Sequence, residues 1–194
     1  MIRALALLFA ALIMLAGTGR AQAQGFGFDS RDIMGGGPNF FSGGGGVSPI
    51  ARATVIYPGN YAPGTIIINT AERRLYLVLG NGQALRYGIG VGRDGFRWSG
   101  THRITAKREW PSWTPPSQML RRRPDLPRHM AGGLENPLGA RAIYLGSTLY
   151  RIHGSNEPET IGQAVSSGCF RMTNEDVTDL YSRVSVGTTV VVRN

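Results

Sequence analysis

The only cysteine in this 194-residue chain is Cys169, and a histidine, His153, precedes it by 16 positions. A thiol becomes a strong nucleophile only when it ionises, and an imidazole within hydrogen-bond reach is a common means of removing its proton. Gly168 precedes the cysteine and Gly154 follows the histidine. The pair predicts nucleophilic catalysis by Cys169 with His153 as general base.

Neighbouring residues fit supporting roles. A tight turn through Ser167 and Gly168 would direct backbone N–H groups toward the sulfur, where they stabilise an oxyanion. Arg171 follows the cysteine by two positions and Thr173 opens a helix four positions after it, and both features favour a thiolate. No aspartate or asparagine is obvious as a partner for the other ring nitrogen, so we expect the Gly154 carbonyl to hold it.

A lone cysteine has other interpretations. It can be a buried small hydrophobic residue or half of an intermolecular disulfide, and composition alone favours the buried residue. The adjacent glycine, arginine and histidine favour a catalytic thiol instead. Zinc is not indicated, because one cysteine and three dispersed histidines show no ligand spacing. We predict no metal and no cofactor.

The first 23 residues have the pattern of a secretory signal peptide. Arg3 precedes an almost unbroken apolar run over 4–16, and small residues at 21 and 23 suit a signal peptidase. The alternative, a transmembrane anchor, needs about 18 or more apolar residues. No cysteine follows for lipid attachment. We therefore expect cleavage after Ala23 and a periplasmic protein with no stable membrane anchor.

The chain is basic, with a net charge of +9. Loss of Arg3 and Arg20 with the signal lowers this charge by two, to +7. Export argues against nucleic acid as a partner. An anionic polymer such as the cell wall, or an anionic membrane face, fits better, although positive charge also serves solubility alone.

The remaining chain divides into a tether and one domain. Residues 24–51 are glycine-rich without an apolar period and predict a disordered tether. Residues 52–194 carry the apolar patterns of a single globular domain. Alternating stretches and glycine turns indicate antiparallel hairpins. The predicted strands cover 65–69, 74–79, 84–90, 103–110, 142–145, 150–153 and 188–193.

Two helices are expected near the end of the chain. A short one covers 159–165, and a clearer one begins after Thr173, which pairs with Asp176 as a cap, and ends at Gly187. Its apolar stripe consists of Val177, Leu180, Tyr181 and Val184. The whole pattern is a mainly β-fold, largely antiparallel, with a few short helices.

Two other features are ambiguous. The stretch from Gly90 to Gly95 matches G-x-G-x-x-G, but no helical period follows it, so we interpret it as a turn and not as a dinucleotide site. A proline-rich loop carries Trp110 and Trp113 and precedes the basic run 121–123. This loop fits either the wall of a cleft for an anionic peptide or a solvated loop with packed tryptophans.

The residues around the histidine and the cysteine resemble the signature of the L,D-transpeptidase catalytic domain. That signature is an apolar-His-Gly step, a gap and Ser-x-Gly-Cys-x-Arg, here Ile152-His153-Gly154 and Ser166-Ser167-Gly168-Cys169-Phe170-Arg171. The resemblance covers roughly 62–193, including Gly90-Val91-Gly92, the loop Trp110–Pro116 and Asn136-Pro137-Leu138-Gly139. Many members have histidine where this chain has Ser167, which leaves proton transfer to His153.

The resemblance implies an antiparallel β-sandwich or barrel-like domain that acts on peptidoglycan. The cysteine attacks the carbonyl between the third residue of a stem peptide, usually diaminopimelate, and D-Ala. D-Ala leaves, and the amine of another stem resolves the thioester into a 3→3 cross-link. The implied catalytic residues are Cys169, His153, Gly154 and Arg171, supported by Gly168, Ser166 and Ser167. Candidate substrate-binding residues are Trp110, Trp113, Tyr144 and Arg151.

Other functions remain open from the sequence. The acyl acceptor can instead be a lysine of an outer-membrane protein, which anchors that protein to the wall, or water, which makes the enzyme a carboxypeptidase. A carbapenem is expected to add covalently to Cys169. The alternative of another class is a non-catalytic wall-binding module, suggested by the basic loop with Trp110 and Trp113.

Overall fold

The computed structural model describes residues 48–194. The predicted signal peptide and most of the predicted tether lie outside these residues. No helix in the described range is long and apolar enough to cross a membrane. The strands are β1 (Ala53–Ile56), β2 (Ile66–Asn69), β3 (Arg74–Gly80), β4 (Gln83–Gly88), β5 (Val91–Gly92), β6 (Gly100–Glu109), β7 (Arg141–Leu145), β8 (Arg151–His153), β9 (Ala164–Ser166), β10 (Phe170–Arg171) and β11 (Thr189–Arg193). The helices are α1 (Ser117–Arg122) and α2 (Asn174–Arg183), with a 3₁₀ turn at Pro158–Thr160.

The described strands form a nine-stranded sheet in the order β1-β4-β3-β2-β11-β6-β7-β8-β10, and β5 pairs with β9. Strands adjacent in sequence form antiparallel hairpins, β2–β3–β4 and β6–β7–β8, as the alternating pattern predicts. Three pairs are parallel: β2 with β11, β8 with β10, and β5 with β9. The mainly β class with a few short helices is confirmed, and the parallel pairs make the large sheet mixed.

Strand β6 joins two halves of this sheet. Its first residues pair with β11 and its later ones with β7, and the register shifts between Ile104 and Ala106. Such an irregularity bends a strand and increases its twist. Buried residues of both halves, such as Ile66 and Ile143, belong to one apolar core, to which α2 adds Val177 and Leu180.

Helix α2 has the cap that its sequence predicts. Thr173 is the N-cap, and its side chain accepts a hydrogen bond from the Asp176 N–H. Val177, Leu180 and Val184 of the apolar stripe are buried, and Tyr181 packs at the edge of the core. The helix ends at Arg183, before the expected end at 187.

The predicted helix over 159–165 is wrong. A single 3₁₀ turn covers Pro158–Thr160, and the chain then enters β9. Gly162 has a φ of +88°, in the left-handed region that interrupts a right-handed helix, and β9 gains ladder hydrogen bonds with β5. Tertiary pairing therefore overrides a weak local preference.

The described chain begins inside the segment that was assigned to the tether. Ile50 packs against Gly88 and Gly162, where an added Cβ would lie 2.6 Å and 2.8 Å from atoms of the Ile50 side chain. Two residues later, Arg52 forms ion pairs with Asp176 and Asp179 of α2 at 3.4 Å and 3.3 Å. These contacts attach the start of the domain to α2.

Candidate active site

The two predicted catalytic residues belong to adjacent parallel strands: His153 ends β8, and Cys169 immediately precedes β10. In the β8–β10 pair, Ile152 is opposite Phe170 and His153 is opposite Arg171. Side chains alternate between the two faces of a strand. Ile152 and Phe170 enter the core, so His153, Arg171 and the preceding Cys169 share the opposite face. From the spacing of residues and strands in a sheet, the Cα atoms of Cys169 and His153 are about 8 Å apart. At this separation the two side chains can approach each other.

The turn that carries the nucleophile is held by a serine. The Ser166 hydroxyl donates to the Cys169 carbonyl at 2.6 Å and accepts from the Gly168 N–H at 3.2 Å. Gly168 has a φ of +107°, a conformation that favours glycine. The Gly168 N–H was expected to face a developing oxyanion, but in this conformation it is bonded to Ser166.

Aromatic residues pack behind this turn. The Trp98 indole N–H donates to the Gly168 carbonyl at 2.8 Å, and the Trp98 and Tyr150 rings stack 4.4 Å apart. A Cβ at Gly168 would lie 2.7 Å from the Tyr150 ring, so only glycine fits here. Trp98 also contacts the Phe170 ring in the core, which ties the turn to the sheet.

The histidine is buried and oriented by the backbone. Its Nδ1 lies 2.6 Å from the Gly154 carbonyl oxygen, which can only accept, so Nδ1 carries the proton and Nε2 keeps a free lone pair. Burial, with smaller contributions from the positive charges of Arg171 and Arg151, lowers the His153 pKa to about 3, and the Gly154 hydrogen bond opposes this shift. The imidazole is therefore neutral at neutral pH.

Arg171 does not face solvent. Its guanidinium forms an ion pair with Glu157 at 2.9 Å, and both side chains are about 95% buried. A buried charge needs such a partner, because desolvation otherwise opposes it. The pair fixes Arg171 beside His153 in the β8–β10 register.

The thiol itself is partly accessible. Cys169 is half-buried, and its Sγ lies 3.8 Å from the Leu149 carbonyl oxygen. Within residues 48–194 no hydrogen bond joins this sulfur to the imidazole; in ligand-free enzymes such bonds often tighten only when substrate binds. Along the chain, Cys169 is separated from the first turn of α2. Strand β10 and two further residues intervene, and helix-dipole effects are confined to the first turn.

The candidate substrate-binding residues fall into two groups. Tyr144 and Arg151 are paired across β7 and β8, with the guanidinium 5.5 Å from the ring centre, on the face that carries Cys169. Trp110 lies at the end of β6 with 43% of its surface exposed. Trp113 is 7% exposed and belongs to a second apolar cluster with Met119 and Leu138, so it packs the loop and is not open to a ligand.

The other ambiguous motif has a structural role. Strand β5 lies inside the Gly90–Gly95 stretch, and the chain continues through a turn into β6 without forming a helix. Gly92 packs against Gly168, where an added Cβ would lie 3.2 Å from the Gly168 Cα. In the described part of the chain, no three His, Cys, Asp or Glu side chains cluster as metal ligands do.

A sequence model of the YkuD L,D-transpeptidase catalytic domain matches residues 63–192. The chain belongs to this family. Two curated L,D-transpeptidases of Escherichia coli K12 are similar to it: the probable L,D-transpeptidase ErfK/SrfK at 38% identity over 136 residues, and the probable L,D-transpeptidase YbiS at 39% over 134. These alignments cover 66% and 64% of this chain but 43% of each relative, so the chain spans less than half of their length.

Solved structures support the L,D-transpeptidase fold. An L,D-transpeptidase from Mycobacterium smegmatis superposes with a TM-score of 0.54 at 16% identity, over 67% of this chain and 58% of that one. A Brucella melitensis protein described as a probable carnitine operon oxidoreductase is 48% identical over 76% of this chain and 96% of its own, with a TM-score of 0.51. That description belongs to the Brucella protein; the family match of this chain is to L,D-transpeptidases.

The sequence alone did not indicate several residues of this candidate site. Glu157 pairs with Arg171, and Trp98 donates to Gly168. The Leu149 carbonyl lies beside the thiol. Glu157 follows the Ile152-His153-Gly154 step by three residues, and an acidic residue so near the histidine was the available signal. Trp98 is distant in sequence from Gly168, and nothing local to the cysteine indicates it.

Proposed function

We propose that this domain is a periplasmic L,D-transpeptidase that forms 3→3 cross-links between peptidoglycan stem peptides. The observation that carries the proposal is the β8–β10 register, which sets Cys169 and His153 on one face of the sheet. Membership of the L,D-transpeptidase family and the partly accessible thiol support it. The basic charge of the chain suits an anionic wall polymer.

In the first half-reaction His153 Nε2 takes the Cys169 proton as the sulfur attacks the carbonyl between diaminopimelate and the terminal D-Ala. The negative charge moves to the carbonyl oxygen. The Cys169 N–H is the backbone donor that we assign to this oxyanion, because the Gly168 N–H is bonded to Ser166. The C–N bond breaks, the imidazolium returns the proton to the amine, D-Ala leaves and a thioester remains.

In the second half-reaction an amine replaces D-Ala. The diaminopimelate side-chain amine of a second stem attacks the thioester carbonyl and His153 accepts its proton. The C–S bond then breaks, and the imidazolium returns the proton to the departing thiolate. The acceptor enters from solvent, where Leu149 is 81% exposed beside the sulfur and Arg151 lies on Tyr144. This apolar and cationic surface suits a peptide that bears carboxylates.

The neutral resting histidine fits this sequence of steps. A His153 pKa of about 3 means that the imidazole is available as a base and not already protonated. Once the thiolate forms, its negative charge stabilises the imidazolium that burial and the two arginines oppose. Proton transfer is therefore coupled to attack on the carbonyl.

The proposal is tested with purified protein and a disaccharide-tetrapeptide. Mass spectrometry should show release of D-Ala and a 3→3 cross-linked dimer, and C169A should show neither. A carbapenem should add its mass to the intact protein but not to C169A. Retention of D-Ala release by C169A would contradict the mechanism.

The same products separate the alternatives. A tripeptide without a dimer indicates water as acceptor, and a lysine-containing peptide joined to the stem indicates a protein acceptor. Unchanged pelleting of C169A with peptidoglycan, together with no acyl-enzyme in the wild type, indicates a wall-binding module instead.

A further inference from the structure

Asn174, the first residue of α2, contacts the backbone that orients the catalytic base. Its Oδ1 accepts a hydrogen bond from the Ala140 N–H at 2.8 Å. Ala140 leads into β7, and the Gly154 N–H donates to the carbonyl of the next residue, Arg141, at 3.0 Å. The side chain of Asn174 thus lies where the start of β7 meets the end of β8.

Two glycines pack around this amide oxygen. A Cβ added to either Gly139 or Gly154 would overlap Asn174 Oδ1. The two glycines also touch each other, since a Cβ at Gly154 would lie 3.2 Å from the Gly139 Cα. Gly139 has a φ of +62°, which lets the chain turn into this close approach. The Gly154 backbone is therefore in contact with Asn174 and Gly139 and bonded to β7.

The carbonyl of that same glycine accepts the hydrogen bond from His153 Nδ1 at 2.6 Å. We propose that Asn174 is a positioning residue for the catalytic base, acting through Gly154 to fix the ring orientation and tautomer of His153. The proposal rests on the proposed function of His153. It also links the two catalytic groups, because Cys169 and Asn174 are the ends of one six-residue segment that contains β10.

Asn136 provides a matched control. Its Oδ1 accepts from the Leu138 N–H at 2.9 Å, and its Nδ2 donates to the carbonyls of Pro111 and Ala131 at 3.1 Å and 2.9 Å. It is buried and binds the same loop as Asn174, two residues earlier, but its bonds lead to the proline-rich segment and not to Gly154. A purely structural role predicts the same result for both asparagines.

The experiment compares N174A, N174D and N136A by two measurements that need no wall peptide. The first is the rate of alkylation of Cys169 by iodoacetamide as a function of pH, and the second is the ¹⁵N NMR signal of the His153 Nδ1–H. N174A should alkylate at least about tenfold more slowly and lose the slowly exchanging Nδ1–H signal, because small displacements of a catalytic group are costly. N174D keeps an acceptor oxygen and should restore both.

N136A should lower thermal stability while keeping the wild-type alkylation rate and NMR signal. The proposal is overturned if N174A keeps both, or if N136A loses both to the same extent. Should N174A fail to fold, N174S replaces it in the comparison, because the serine oxygen is one bond nearer to the backbone than the asparagine Oδ1. Failure of the proposed function would give a different result. The wild-type protein would then release no D-Ala, while the His153 Nδ1–H signal would still be lost in N174A.

Discussion

The Nδ1 atom of His153 lies 2.6 Å from the carbonyl oxygen of Gly154, the next residue in the chain. In papain-like proteases an asparagine side chain orients the corresponding histidine. Here a main-chain carbonyl does so, and it cannot be removed by substitution. The position of the base therefore depends on whatever holds the Gly154 backbone in place.

A side chain at Gly154 should displace that backbone. In G154A the new Cβ would overlap Asn174 Oδ1 and lie 3.0 Å from the Ala140 nitrogen. We expect about a 100-fold loss in the rate of D-Ala release and a loss of about 1–3 kcal/mol in the free energy of unfolding. G133A is the control, since nothing lies within 4 Å of its new Cβ. A G154A rate within twofold of wild type would contradict this prediction.

The buried histidine should make the protein less stable in mild acid. The His153 pKa is about 3 when folded and near 6.5 when unfolded, so between these values the unfolded chain binds the extra proton. The stability from the neutral imidazole is complete above pH 6.5 and falls as the pH decreases toward 3, by about 2 kcal/mol at pH 5. Urea unfolding at pH 5 and pH 7 measures this difference.

The contribution of His153 is isolated by substitution. H153N has no titrating ring, so its unfolding free energy should change by about 2 kcal/mol less than that of the wild type between pH 7 and pH 5. H129N, which removes an exposed imidazole instead, is the matched control. Equal pH dependence in H153N and wild type would show that the buried ring does not resist protonation.

Loss of Glu157 should destabilise the domain strongly. E157Q leaves the buried Arg171 guanidinium without its anionic partner, at a cost of about 3 kcal/mol. E109Q breaks the Glu109–Arg141 pair, where Glu109 is 61% exposed, and should cost less than about 1 kcal/mol. Replacing both buried partners with methionine should recover much of the loss. Urea unfolding of the variants measures these differences, and similar losses in E157Q and E109Q would contradict the prediction.

The two tryptophans of the proline-rich loop should behave differently. W113A removes a buried ring that packs with Met119 and Leu138, and should cost about 3–5 kcal/mol of stability. W110A removes an exposed ring and should change stability by less than about 1 kcal/mol. If Trp110 binds the stem peptide, W110A raises KM for D-Ala release at unchanged melting temperature. A W113A variant as stable as wild type would show that the loop does not need its cluster.

The local part of the site could be predicted from the sequence. The Gly154 carbonyl is adjacent to the histidine in the chain, and Thr173 caps α2 through its neighbour Asp176. The hairpins were also predictable, because alternation and glycine turns are signals within a few residues. Each of these features depends on residues close together in sequence.

The other features of the site depend on contacts between residues far apart in the sequence, which no local pattern indicates. Parallel pairing of β8 and β10 is set by the whole sheet, and the Trp98–Gly168 hydrogen bond joins residues 70 positions apart. Arg171 was expected to act on the thiol, but its charge is paired with Glu157, which spacing alone does not reveal. Helix α1 has only six residues and follows a proline-rich stretch, so its apolar pattern is too short to read.

Strand β11, the last strand of the described chain, lies in the middle of the large sheet. It pairs with β2 on one side and with β6 on the other, so within the large sheet it lies between the first four strands and the strands beside Cys169 and His153. Val190 lies opposite Ile66, more than 120 residues earlier, and pairing over such distances is slow. The large sheet is therefore complete only when strands from the two ends of the domain have come together.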